Sequence, residues 1–255
     1  LTSPLDHRSH DYVGLIRRWR KSARPAGLII REYFAEDGLP YYLLESPRAS
    51  LIRPAVYLSA GIHGDEAAAT EALIAWVTKH GAELRRLDLL IFPCLNPWGL
   101  INNARFDARG VDRNRSYHHD LIPATAAHLR ELGTRQFDLA LTLHEDYDAR
   151  GVYLYEIQHK RPYWGDALLQ AASRVMQIDD RRGIEKNRPR NGVIRRRITP
   201  ALLEHHPEAF TLHFHHSLRT LTIETPSEHL LSARVDAQIA MIECAIDLLE
   251  AIESE

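Results

Sequence analysis

His63 and Glu66 stand three residues apart in Ser59-Ala60-Gly61-Ile62-His63-Gly64-Asp65-Glu66. An imidazole nitrogen and a carboxylate oxygen are both good ligands for a divalent ion such as Zn2+. The apolar run at 54–60 reads as a strand and the stretch 65–79 as a helix, so the pair falls at a strand-to-helix turn. The spacing predicts both side chains on one side of the helix's first turn. Gly61 and Gly64 leave room for a sharp bend between the two elements. Taken alone, the pair also fits a plain solvated helix start, with Asp65 and Glu66 complementing the helix dipole.

Other strand ends strengthen the first reading, because sites in open α/β sheets form beyond the carboxyl ends of strands. The predicted strand at 87–93 ends just before Asn96, that at 137–143 directly at His144, and that at 218–223 directly at Glu224. Two histidines and two glutamates thus follow three strand ends on one edge of a sheet. His144 supplies a third ligand. Two His and one Glu, with a fourth position open, make a catalytic zinc set. An ion so held lowers the pKa of a bound water and polarises a carbonyl. A general base must still take the water's proton. Glu224, in Thr222-Ile223-Glu224-Thr225-Pro226, is the candidate, with apolar strand neighbours to raise its pKa.

The elements that must position these residues can be read in outline. A helix is expected over 5–21, with Tyr12, Leu15, Ile16 and Trp19 on one face. Strands at 27–34 and 40–45 follow, with Asp37-Gly38 as the turn between them. The stretch 96–119 reads as irregular, 124–133 as a helix, 152–157 as a strand and 164–176 as a helix. The very polar 181–197 reads as a surface loop or lid. A long amphipathic helix is expected over 227–255, capped by Ser227. Strands alternating with helices, plus an early antiparallel pair, predict one α/β domain over residues 1–255, three-layer α/β/α with a mixed twisted sheet.

Several motifs together resemble the zinc carboxypeptidases often called the M14 family: Gly61-Ile62-His63-Gly64-Asp65-Glu66, Asn96-Pro97-Trp98-Gly99, Gly110-Val111-Asp112-Arg113-Asn114-Arg115, Leu143-His144-Glu145-Asp146 and Thr222-Ile223-Glu224. The resemblance covers roughly 55–226. It implies one Zn2+ held by His63, Glu66 and His144, with Glu224 as catalytic base. It further implies Asn114 and Arg115 gripping a substrate's terminal carboxylate, Arg105 stabilising the developing oxyanion, and Asp112 orienting the first zinc histidine. Each role has a physical basis: a guanidinium binds a carboxylate bidentately, a cation stabilises charge that appears only in the transition state, and a carboxylate behind an imidazole fixes its tautomer. The short segment between Glu66 and His144 resembles the compact bacterial branch that includes murein tripeptide amidases. The implied substrate is a small peptide with a free carboxylate, such as one derived from peptidoglycan. A deacylase of the succinylglutamate desuccinylase or aspartoacylase type shares the metal set and the arginine clamp and is the second reading. Glu145-Asp146 fits it less well. A non-catalytic binding protein that keeps the fold is a third.

Other residues are harder to place. Arg113, where the family has a small or aliphatic residue, is expected to add charge near the clamp. Arg109 is the rival to Arg105. Tyr153 and Tyr155 are candidates for a tyrosine over the site, and specificity residues are expected within 209–216. His213 and His215 would share a face of a possible strand and could hold a second metal, against a plainer reading as surface or strand-face histidines. His118-His119 and His205-His206 lack a geometric partner. Arg195-Arg196-Arg197 reads as a solvated face or as part of a lid, and Glu145 and Asp146 as exposed or as supports behind the ligand.

The 255 residues, 45% hydrophobic and 26% charged with net charge -2, have an ordinary globular composition. That balance offers no bulk attraction to nucleic acid or an anionic membrane. No stretch reaches the roughly 18 apolar residues of a span. Two cysteines, Cys94 and Cys244, exclude a zinc-thiolate site and a disulfide framework. Both are expected to be buried free thiols, which points to the cytoplasm; residues 1–10 carry no apolar core of a secretory signal and do not begin with Met, which leaves the location open.

Overall fold

The computed structural model describes residues 9–47, 53–118, 122–158, 161–195 and 206–253. They form one eight-stranded mixed sheet in the order β1-β2-β4-β3-β5-β8-β6-β7. The strands are β1 (Ile29–Glu36), β2 (Leu39–Glu45), β3 (Ala55–Ser59), β4 (Asp88–Phe92), β5 (Leu139–Asp146), β6 (Tyr153–Gln158), β7 (Val193–Arg195) and β8 (Arg219–Pro226). The inner four, β4-β3-β5-β8, are parallel. Their near-continuous apolar runs suit strands buried on both faces. β1 and β2 form the expected hairpin, with Asp37 (φ 54°) and Gly38 (φ 74°) both left-handed, as a two-residue turn between twisted strands requires. Beyond β8 the sheet reverses, because β6 runs antiparallel to it.

Helices α1 (Tyr12–Ala26), α2 (Ala67–His80), α5 (Gly165–Ala172) and α7 (Leu231–Glu253) cover one face, packing Trp19, Trp76, Trp164 and Met241 onto it. The short α3 (Pro97–Asn102), with α4 (Pro123–Leu132) and α6 (Glu208–Thr211), lies among the remaining segments. The opposite face carries a smaller core of Tyr57, Phe92, Phe137, Leu132 and Leu212. The expected α/β/α layering is present, with unequal layers.

Several boundaries differ from the sequence reading. α1 begins at Tyr12, because the Asp11 carboxylate accepts the Gly14 N–H, and it continues to Ala26 before Gly27 closes it in a left-handed cap. Residues 5–8 lie outside the described set. Within 96–119, Asn96 caps a real helix with Pro97 at its first position. Ser227 is no cap: its N–H bonds Asp146 O, and α7 starts only at Leu231. The stretch 181–197 contributes β7 to the sheet edge. The segment Leu212–His216 is a π-helical turn rather than a strand, so His213 is buried while His215 is exposed. Cys94 is buried, Cys244 half-buried, and both are free. Among the described residues no helix is long and apolar enough to cross a membrane.

Candidate metal centre and its cavity

β5 and β8 do not stop where the sequence reading ends them. Their ladder runs on to Asp146 and Pro226, which places His144 directly beside Glu224. Both project from strands and not from the loops after them. His63 and Glu66 leave β3 through a turn, with Gly61 at φ 63°. This turn precedes α2, and Glu66 occupies its N-cap position. The pair therefore does not ride on a helical first turn. It converges because the loop is pinned: Gly64 N–H bonds Ala104 O at 3.0 Å. A Cβ on Gly64 would lie 1.9 Å from the Gly99 carbonyl carbon, so two backbones touch where no side chain fits.

His63, Glu66 and His144 are all buried, and their ligand atoms lie within 4.8 Å of one another. His63 Nδ1 is 2.5 Å from one Glu66 oxygen and His144 Nδ1 2.9 Å from the other. Burial disfavours charge on His63, but Glu66 and Asp112 outweigh it and hold its pKa at about 9. Burial likewise pushes Glu66 up, yet the two histidines bring it down to about 2. A buried carboxylate that draws protons onto two imidazoles is one that accepts a cation in their place. The donor set of two nitrogens and a carboxylate fits a divalent ion such as zinc.

Behind His63, its Nε2 faces Asp112 Oδ1 at 3.2 Å, while Arg105 donates to Asp112 Oδ2 from Nη2 at 3.0 Å. Arg105 Nη1 lies 3.9 Å from Glu66. Behind His144, Gln238 donates to its carbonyl. Next to it, Glu145 is buried, accepts the Ala68 N–H at the start of α2 and pairs with Arg234. Glu145 thus supports the site from within, and Asp146 takes Arg181 and the Tyr153 hydroxyl.

A cavity of about 770 Å3 opens over this group. His63, Glu66, Arg105, Asn114, Arg115, His144 and Glu224 all line it; Asp112 stands behind. Glu224 has its carboxyl pushed well up, chiefly by burial and against the pull of His144. Tyr153 and Tyr155 line the wall beside it, paired across the ladder with Glu224 and Thr222. Of the region expected to set specificity, Ala209 and Phe210 reach the cavity.

One expectation about the cavity fails. Arg113 adds no charge to the cavity. It turns into the core, 3% exposed, held by Glu36, Asp107 and the Leu95 carbonyl. It braces the 3-10 turn Arg113–Arg115 from below. Arg195 is exposed, as the solvated-face reading has it, and also pairs with Glu156 and Asp166; Arg196 and Arg197 lie outside the described residues, as do His119 and His205. Arg109 pairs with Glu36 and does not line the cavity, which leaves Arg105 at the site. Among the described residues no second metal-ligating group forms, at His213 or elsewhere. Sequence reasoning missed Tyr147, Asp148, Glu185 and Lys186, which line the rim from two loops. It also missed the buried Glu208. Only a polar residue inside an apolar stretch could have flagged Glu208.

The family described as succinylglutamate desuccinylase/aspartoacylase catalytic domain matches residues 52–176, a span that holds His63, Glu66, Arg105, Asp112, Asn114, Arg115 and His144 but not Glu224. A probable carboxypeptidase 2 of Arthroderma benhamiae is 27% identical over 188 residues, 68% of this chain and 35% of that protein. The chain thus spans about a third of the length of that curated relative. A Shewanella amazonensis chain assigned as a metallopeptidase superposes with TM-score 0.82 at 23% identity, covering 94% of each chain. A metallo-carboxypeptidase from Burkholderia cenocepacia gives TM-score 0.70 at 16% identity, over 92% of this chain and 68% of that one. The fold is the α/β architecture of these solved metallopeptidase chains. The chain is similar to metallocarboxypeptidases in fold and over part of its sequence.

Proposed function

We propose that this chain hydrolyses the amide bond joining a C-terminal residue to a small peptide, with one Zn2+ held by His63, Glu66 and His144. One observation carries the reading: the Asn114–Arg115 pair and the Glu224 carboxylate enter the same cavity as the ligand group. When bound, the ion supplies a water of lowered pKa and polarises the scissile carbonyl. Glu224 takes the proton from the attacking water and passes it to the leaving amine. Arg105 offers its guanidinium where oxyanion charge develops. Asp112 accepts the His63 Nε2–H and fixes that ring. Asn114 and Arg115 grip the free carboxylate, which sets the last amide bond over Glu224.

A second reading has the family match on its side. A deacylase of N-acyl amino acids would use the same ligands, base and clamp. The size of the cavity, with the 72% exposed Tyr147 on its rim, favours a longer chain over a small acyl group. The test is mass spectrometry of a mixture incubated with zinc-loaded protein: peptides with varied C-termini, a γ-D-glutamyl-diaminopimelate muropeptide and N-acyl amino acids. Release of one C-terminal residue supports the peptidase reading, and the muropeptide arm tests a peptidoglycan-derived substrate. Deacylation alone establishes the second reading, and no product with metal bound overturns both.

A further inference from the structure

Glu208 is 1% exposed, and among the described residues no arginine or lysine pairs with it. Burying a carboxylate without a cation is costly, and an apolar side chain would fill the same space more cheaply. Its placement is specific. Tyr57 donates its hydroxyl hydrogen to Glu208 Oε1 at 2.5 Å. The Tyr57 oxygen therefore accepts from His128 Nε2, 2.9 Å away, and His128 Nδ1 accepts from the Tyr117 hydroxyl at 2.7 Å. This one-way chain assigns His128 its Nε2–H tautomer. It anchors Glu208 to the central strand β3.

The backbone of Glu208 faces the opposite way. Its N–H donates to Asn114 Oδ1 at 3.0 Å. That bond fixes the flip of the Asn114 amide and leaves Nδ2 to donate into the cavity. Tyr117 N–H meanwhile bonds His206 O, so the 206–208 backbone is tied twice to the segment that carries the clamp. Pro207, Ala209 and Phe210, on either side of Glu208, form cavity wall.

We propose that Glu208 is a positioning residue for carboxylate recognition: its buried side chain anchors the 207–210 wall so that its backbone N–H holds Asn114 in the donating orientation. The proposal rests on the reading that Asn114 and Arg115 bind the terminal carboxylate.

The experiment is steady-state kinetics on the metal-loaded protein, with two competitive probes: the released amino acid, which carries a carboxylate, and acetohydroxamate, which reaches the metal without one. Glu208→Ala is expected to raise KM and the product Ki about 10-fold, a misplaced hydrogen bond's worth, with kcat and the hydroxamate Ki within about 3-fold. Glu208→Gln keeps an acceptor for Tyr57 and is expected to restore KM to within about 3-fold. Tyr57→Phe, which removes the donor to Glu208 together with the acceptor for His128 Nε2, should shift KM the same way and serves if Glu208→Ala does not fold. A loss shared by kcat and both probes, or an unchanged product Ki, overturns the proposal. Arg115→Ala separates the two levels: if it too leaves the product Ki unchanged, the clamp reading falls with the proposal. If it raises that Ki while Glu208→Ala does not, only the proposal falls.

Discussion

On one wall of the cavity, His144 and Glu224 sit side by side in the ladder of β5 and β8. On the other, Asn114 and Arg115 ride on a single 3-10 turn held from below by Arg113, with Glu208 bonded to Asn114. The first wall takes its precision from a parallel sheet buried on both faces, where backbone bonds fix the spacing of neighbouring side chains. The second takes it from side chains whose own positions depend on buried ion pairs and hydrogen bonds. A single replacement should therefore remove one function from the ladder wall and leave its geometry intact. On the loop wall it should disturb placement and stability together.

The largest effect should come from the ladder wall. Glu224→Gln is isosteric there and should lower kcat by about 10²- to 10⁴-fold while bound zinc, measured by metal analysis, and the urea midpoint stay near normal. Near-normal turnover would remove Glu224 from the base role and break the contrast. On the loop wall, Arg113→Met strands the Glu36 and Asp107 carboxylates, at a cost of about 3–5 kcal/mol. Urea unfolding should show it, and KM should rise with it. Arg115→Ala should raise KM roughly 10- to 100-fold, the loss of a charged hydrogen bond. The most gradual effect is one of pH. His128 is buried, and burial together with nearby His216 depresses its pKa to about 3. It stays neutral when folded while the unfolded chain binds a proton below about 6.5. Above that pH the group has no effect. Below it, stability should fall by roughly 1.4 kcal/mol per unit until about pH 3. His128→Gln, measured by urea unfolding between pH 6 and 4, should lose one proton's worth of that slope. An identical slope would show that His128 is charged in the folded state.

The same contrast decides what could be read from the chain. His63, Glu66, His144 and Glu224 were legible because strand periodicity places them at one sheet edge, and mixed α/β layering follows from the same pattern. Their exact setting was not legible. The β5–β8 ladder continues past both residues because the two strands extend each other, a tertiary fact with no local signal. Arg113 misled for a related reason: its charge suggested the cavity, whereas its partners Glu36 and Asp107 lie 77 and 6 residues away in sequence and draw it inward. Ser227 had a cap's identity, but its N–H is engaged by Asp146. Glu208, in a stretch that offered only histidines as candidates, gave no hint that its main chain and side chain serve opposite neighbours.

The contact between Gly64 and Gly99 bears on how such a chain can change over generations. Neither residue offers an atom to a ligand, yet a methyl group on Gly64 would strike the backbone at Gly99, and one on Gly99 would strike Asn96 and the Ala104 carbonyl. In a saturation screen for activity, Gly64 should rank with His63 and Glu66 in intolerance, ahead of polar residues that visibly line the cavity. No substitution at the other glycine can rescue it, because the obstruction is main chain and cannot be made smaller. The two positions are locked against drift, and a lineage can alter the cavity lining through 147–148, 185–186 and 209–210 while this joint stays fixed.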